Sequence, residues 1–142
     1  MFNIKKRTAP HELVQHAREQ INNIINSARG VHFVMVCSTD GFELTSVHKR
    51  GQYNNSKLAA VSSSILAMVS AFIKEIQLTG CQNITLDAEN GKAILTSVSA
   101  KNHPMIIVAL TDKDILLGQV LYLLKTSTQS IISADQEFNL VK

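Results

Sequence analysis

Gly51-Gln52-Tyr53-Asn54-Asn55-Ser56-Lys57-Leu58 is the stretch of this sequence nearest to a known chemical device, the phosphate cradle G-x-x-x-x-G-K-[ST]. That cradle needs its second glycine so that backbone N–H groups can close on a phosphate. It also needs a hydroxyl after the lysine to hold magnesium. Here Ser56 stands in the glycine position and Leu58 in that of the hydroxyl. Both working parts are missing, so no nucleotide or other cofactor is expected, and Ser56 reads as a helix N-cap.

The other reactive side chains do not assemble into a centre. Cys37 and Cys81 sit in apolar stretches, with no CxxC or HxxxH pair in the chain, so they read as reduced structural thiols rather than zinc ligands. Cys37 has no evident base beside it. The five histidines are scattered, and only His32 and His48 are placed to approach each other, across a hairpin. Asp40 and Glu43 flank a turn, and no Ser-His-Asp set can be drawn. Lys49, Arg50 and Lys57 surround Tyr53, which would suit phosphate charge and one stacked base, but a net charge of +3 is a weak footprint for nucleic acid. Lys5, Lys6 and Arg7 are similarly placed for an acidic partner or lipid. The expectation is a protein without catalytic residues, metal or nucleic-acid partner.

The elements that carry these residues belong to one domain over residues 1–142, with a core at about 12–131. Hydrophobic residues make up 45%, enough for a packed core, while charged residues are only 18% against a usual ~25%. So little charge implies that some surface outside the core is covered by a partner. No apolar run follows the basic N-terminus, so no secretory signal is expected. The longest charge-free apolar stretch, Leu58 to Ile73, has 16 residues, four of them serine, against the about 20 that a membrane span requires. The expected location is the cytoplasm.

Apolar residues from Leu13 to Ala28 recur at spacings of three and four, which predicts a helix over about 10–28, opened by Pro10 and ended by Gly30. Val31 to Cys37 and Met105 to Leu110 are almost wholly apolar, as in strands covered on both faces. Residues 42–47 and 83–88 alternate and belong at sheet edges. Thr39-Asp40-Gly41 and Glu89-Asn90-Gly91 are turns, and 93–99 is a returning strand. Helices are expected at 56–79, stopped by Gly80, and at about 113–132, capped by Thr111 or Asp112. The last ten residues show no pattern. The order α-β-β-α-β-β-β-α makes an α+β sandwich: a five-stranded, mainly antiparallel sheet with helices on both faces.

The 56–79 helix is apolar around most of its circumference. Leu58, Val61, Ile65, Met68, Phe72 and Ile76 form a stripe suited to the sheet, with Ser62, Leu66, Val69 and Ile73 beside it. Ala60, Ser64, Ala67 and Ala71 form a third stripe of small residues, which lets another helix approach closely. Either the chain's own helices cover that stripe or a second copy does, and the low charge favours the copy. Along 83–88 nothing blocks strand pairing, so Asn83, Thr85 and Asp87 offer an edge for a twofold partner.

Arg29-Gly30-Val31 to Thr39-Asp40-Gly41, the Ala/Ser/Leu helix from Lys57 to Gly80, the hairpin at Asn90-Gly91 and Leu116-Leu117-Gly118 together resemble the Roadblock/dynein light-chain domain over about residues 12–131. His32-Phe33 departs from the small residues often found early in that family's first strand. The bacterial members include partners of small Ras-like gliding GTPases. The resemblance implies a profilin-like Roadblock fold and a homodimer joined through the third strand, with central helices paired on one face. It also implies non-enzymatic regulation or scaffolding of a Ras-like GTPase. Arg50 alone among the arginines lies in a loop suited to reaching such a partner. Two other readings remain: a small-molecule sensor with a pocket between sheet and helix, and a purely structural assembly adaptor.

Overall fold

The computed structural model describes residues 9–138; the basic Lys5-Lys6-Arg7 and the last four residues lie outside them. Three helices and five strands follow in the predicted order: α1 (His11–Ser27), β1 (Val31–Ser38), β2 (Glu43–His48), α2 (Asn55–Glu75), β3 (Asn83–Ala88), β4 (Gly91–Val98), β5 (Met105–Thr111) and α3 (Leu117–Asp135). The sheet is antiparallel throughout, in the order β2-β1-β5-β4-β3. The two apolar strands, β1 and β5, are neighbours near its centre, and the half-polar β2 and β3 form its edges, as their composition requires.

Both faces of the central strands are covered. On one face Val31, Val34, Val36, Ile107 and Ala109 meet α1 and α3, through Leu13, Ile21, Val120 and Leu124 among others. On the other, Phe33, Met35, Cys37, Ile106 and Val108 meet α2, but only Ala59 of that helix joins the buried cluster, with Leu58, Ile65 and Leu66 half-buried beside it. Gly41 fixes how closely α2 approaches. Its φ is +96°, and a Cβ there would lie 3.2 Å from the Ala60 Cα. At Gly91 a Cβ would lie 2.7 Å from the Thr111 carbonyl oxygen, so the β3–β4 hairpin folds this tightly against β5 only with glycine.

Several boundaries differ from those expected. α2 ends at Glu75, and the first residue beyond it in the left-handed conformation is Gln77, at φ 65°; Gly80, at φ 70°, lies further along the connection. Its N-cap is Asn54, whose side chain accepts from the Lys57 N–H at 3.1 Å; Ser56 lies inside the first turn. Neither Thr111 nor Asp112 caps α3: Thr111 ends β5, Asp112 pairs with Arg50, and α3 starts only after Leu116 with no side-chain cap. α3 also runs further than expected, to Asp135, because that residue is an anchor. Its carboxylate is fully buried, accepts from the Asn102 N–H at 2.9 Å and lies 2.9 Å from His103 Nδ1.

Removing one partner of a buried ionisable pair leaves the other desolvated and unmatched. His103→Ala is therefore expected to cost about 3 kcal/mol in urea unfolding, and His103→Gln, which keeps a donor, clearly less. Equal losses in the two variants would show that packing, not the contact to Asp135, accounts for the effect.

Candidate functional site

The side chains considered for chemistry lie apart or are already engaged. His32 does not meet His48. It is the extra residue where the β1–β5 register shifts between Val31 and Phe33. Such a bulge re-aims a side chain, and here His32 Nε2 comes within 3.1 Å of the Tyr53 hydroxyl while Nδ1 lies 3.5 Å from Asp112 Oδ1. Asp112 also binds Arg50. Phe33 packs against the Tyr53 ring, with centroids 4.9 Å apart. The loop after β2 is thus tied to the end of the sheet, with Arg50 and Tyr53 both exposed. The departure at His32-Phe33 is what makes this clasp.

Cys37 is buried, and burial, with the Glu43 charge adding to it, pushes its thiol up to about 12, the opposite of an activated nucleophile. Cys81 is a half-exposed free thiol. Asp40 is exposed in the turn after β1, and Glu43 accepts from Asn55 Nδ2 at 2.9 Å. No group of three His, Cys, Asp or Glu among the described residues could hold a metal.

An exposed apolar face dominates instead. α2 has 21 residues, of which only Ala59 and Ser62 are buried. Val61, Met68, Phe72 and Ile76 are exposed, Met68 by 67% and Phe72 by 63%. This corrects the expected packing of the first stripe: its outer members face away from the sheet, and the seam against it is Ala59, Ser62, Leu66, Val69 and Ile73, with Leu58 and Ile65 beside them. On a helix apolar all round, periodicity cannot choose the inward face. Polar contacts at the start of α2 choose it. Ser63 Oγ donates to the Thr39 carbonyl, and Asn55 Nδ2 donates to Glu43 and Ser46. Small Ala59 and Ser62 then let the backbone sit close to the strands.

Ala60, Ser64, Ala67 and Ala71 are all exposed, beside the Met68–Phe72 row. Ile84 of β3 packs on this side of the sheet, and Leu86, two residues on, is 44% exposed there. Apolar surface therefore runs from the helix onto the edge strand. In length and composition α2 would suffice to cross a membrane, with mean hydropathy 1.6 over an 18-residue window; here it lies along a sheet face, tied down by the contacts of Asn55 and Ser63.

Among the described residues no strand lies beside the outer edge of β3. The Ser97 N–H donates to the Gln82 carbonyl at 3.0 Å, and Asn83 lies opposite Thr96. Hydrogen-bonded and non-hydrogen-bonded pairs alternate in an antiparallel ladder, so the backbone groups of Asn83, Thr85 and Asp87 point outward. The Asp87 carboxyl is held below its usual range by the Lys92 ammonium, 2.7 Å away. The three edge residues were legible from the sequence; the contribution of Leu86 to the exposed surface was not.

Known proteins share this fold. The Roadblock/LC7 domain profile matches residues 19–111. No curated protein sequence matches the chain. Among solved structures, the gliding protein MglB of Thermus thermophilus superposes with a TM-score of 0.79 at 14% identity, over 92% of this chain and 96% of that one. MglB of Myxococcus xanthus gives 0.75 at 13% identity, over 90% and 98%. A Roadblock/LC7 domain from Streptomyces avermitilis gives 0.69 at 8% identity, over 78% and 89%. At such identities the superpositions establish the fold, and with the profile spanning α2 and all five strands, this chain belongs to the Roadblock/LC7 domain family.

Proposed function

We propose that this protein is a non-enzymatic homodimeric adaptor that binds and regulates a small Ras-like GTPase in the cytoplasm. The observation that carries the self-association is the pairing of two unsatisfied features on one side of the molecule: the exposed apolar face of α2 and the open edge of β3. A twofold axis beside β3 satisfies both. The outward groups of Asn83, Thr85 and Asp87 pair with their copies, which extends the sheet to twice its width. The two α2 helices then lie side by side above the joint, with Met68 and Phe72 of each against the small stripe Ala60, Ser64, Ala67 and Ala71 of the other. Such an interface exceeds ~1,000 Å², the scale of a stable one.

Family membership and the likeness to MglB, whose structures include one described as a tetrameric arrangement, support a regulatory adaptor rather than an enzyme. No membrane span is part of this reading. A purely structural adaptor would share the dimer and lack the GTPase.

Ala67→Arg places a long cation in the helix pair and is expected to turn the dimer into a folded monomer in sedimentation; persistent dimers would remove the helix pair from the interface. Thr85→Pro deletes one outward N–H and is expected to weaken the dimer at least tenfold, with circular dichroism showing an intact subunit. An unchanged dissociation constant in that folded variant would exclude the joined sheet. A Ras-like GTPase encoded beside this chain is expected to bind it with different affinity in its GTP and GDP forms, measured by calorimetry. Equal or absent binding would leave the structural adaptor.

A further inference from the structure

The sheet has two outer edges, and they are finished differently. Among the described residues neither β2 nor β3 has a strand beyond it. Such an edge is a template for pairing with another chain unless something occupies its outward groups. Along β3 the polar side chains are engaged with the neighbouring strand: Asn83 accepts from Thr96, and Asp87 holds Lys92, both residues of β4.

At β2 the alternation of pairs shows which backbone groups face out. The Lys49 N–H donates to the His32 carbonyl at 2.9 Å, which makes those two a hydrogen-bonded pair. Counting back along the register, His48 opposite Phe33 and Ser46 opposite Met35 form non-hydrogen-bonded pairs, so their N–H and C=O groups point away from β1. The outward carbonyl of Ser46 is already taken. Arg18, on α1, reaches round the edge, and its Nη1 donates to that carbonyl at 2.9 Å and to the Thr45 hydroxyl at 3.0 Å. From α2, on the opposite face, Asn55 Nδ2 donates to the Ser46 hydroxyl at 3.2 Å. Helices from both faces thus close on one residue in the middle of the strand. The guanidinium also sets a charge where an incoming strand would lie, and the register with β1 shifts between Val36 and Cys37. Charge and irregular register both discourage edge pairing.

We propose that Arg18 guards the β2 edge: it keeps this strand from pairing with a second copy, so that self-association through strands is confined to β3. With both edges open, two different twofold contacts would alternate and the sheets would grow without closing. Only the confinement to β3 rests on the dimer reading; the closure of β2 is a property of the single subunit.

The test is sedimentation of the full chain at matched concentrations. Arg18→Met keeps an unbranched apolar stem and removes every donor. It is expected to retain the native circular dichroism and to form species of about twice the wild-type mass or more, increasing with concentration. Adding Ser46→Pro deletes an outward N–H at an edge position where proline is tolerated, and is expected to restore the wild-type mass. His48→Pro serves the same purpose if Ser46→Pro disturbs the fold. An unchanged mass in Arg18→Met would overturn the proposal. So would loss of its native spectrum, which would make Arg18 a residue of stability, or larger species that persist in the folded proline variants, which would be unspecific aggregation. A monomeric wild type would sink the β3 dimer and leave this test standing, with Arg18→Met then expected to form dimers.

Discussion

Two wholly apolar strands side by side need cover on both faces, and the described residues hold three helices with which to supply it. Most of the structure follows from that inequality. β1 and β5 bury Phe33, Met35, Ile106 and Val108 on one side and Val34, Val36, Ile107 and Ala109 on the other. Two helices cover β1 and β5 on the second side, with α1 and α3 packed together and Leu13, Ile21, Val120 and Leu124 fully buried between them and the sheet. The first side receives α2 alone. A single helix can shield about a 10 Å width, against a sheet of five strands spaced about 4.8 Å apart. The uncovered remainder is the outer flank of α2 and the nearby edge strand.

The composition of α2 fits that position better than it fits a helix enclosed by its own chain. A helix with one solvated face would carry charge on it, yet Lys57, Lys74 and Glu75 are its only charged residues, all close to its ends. Between them lie Val61, Ala67, Met68 and Phe72, all exposed in the single subunit. Burying a side chain such as Met68 or Phe72 contributes about 1.5–3 kcal/mol. A face built this way loses much free energy in water and little against a surface of the same kind. The edge strand adds direction, because the outward N–H and C=O groups of β3 fix orientation and register where apolar contact alone would not.

The sequence revealed the elements, their order and the places of the strands, because central and edge strands differ in how many of their residues must be apolar. It revealed Asn83, Thr85 and Asp87 as edge residues for the same reason. It did not reveal the rotation of α2, since Leu58, Val61, Met68 and Phe72 look alike to a periodicity. The choice rests on Asn55, Ser63 and the space left by Gly41, which are tertiary contacts. The end of α3 was missed because Asp135 looks like a solvated acid until Asn102 and His103 are brought to it from 32 or more residues away. His32 was read as a possible partner of His48 because a bulge that shifts the register cannot be seen before the strands are paired.

The two open features of the subunit differ in polarity. The α2 flank is apolar and lies beside the open edge of β3, whose outward N–H and C=O groups can be served by water or by another strand. The other, a cleft beside α3, has amides and hydroxyls along one side and a lysine in its wall, groups that water serves well. Among the described residues that line it, only the Thr128 hydroxyl lacks a partner, and it is buried away from the open space. β3 borders both: Ile84 and Leu86 belong to the α2 side, and Asn83 turns to the cleft and accepts from Thr96 at 2.9 Å.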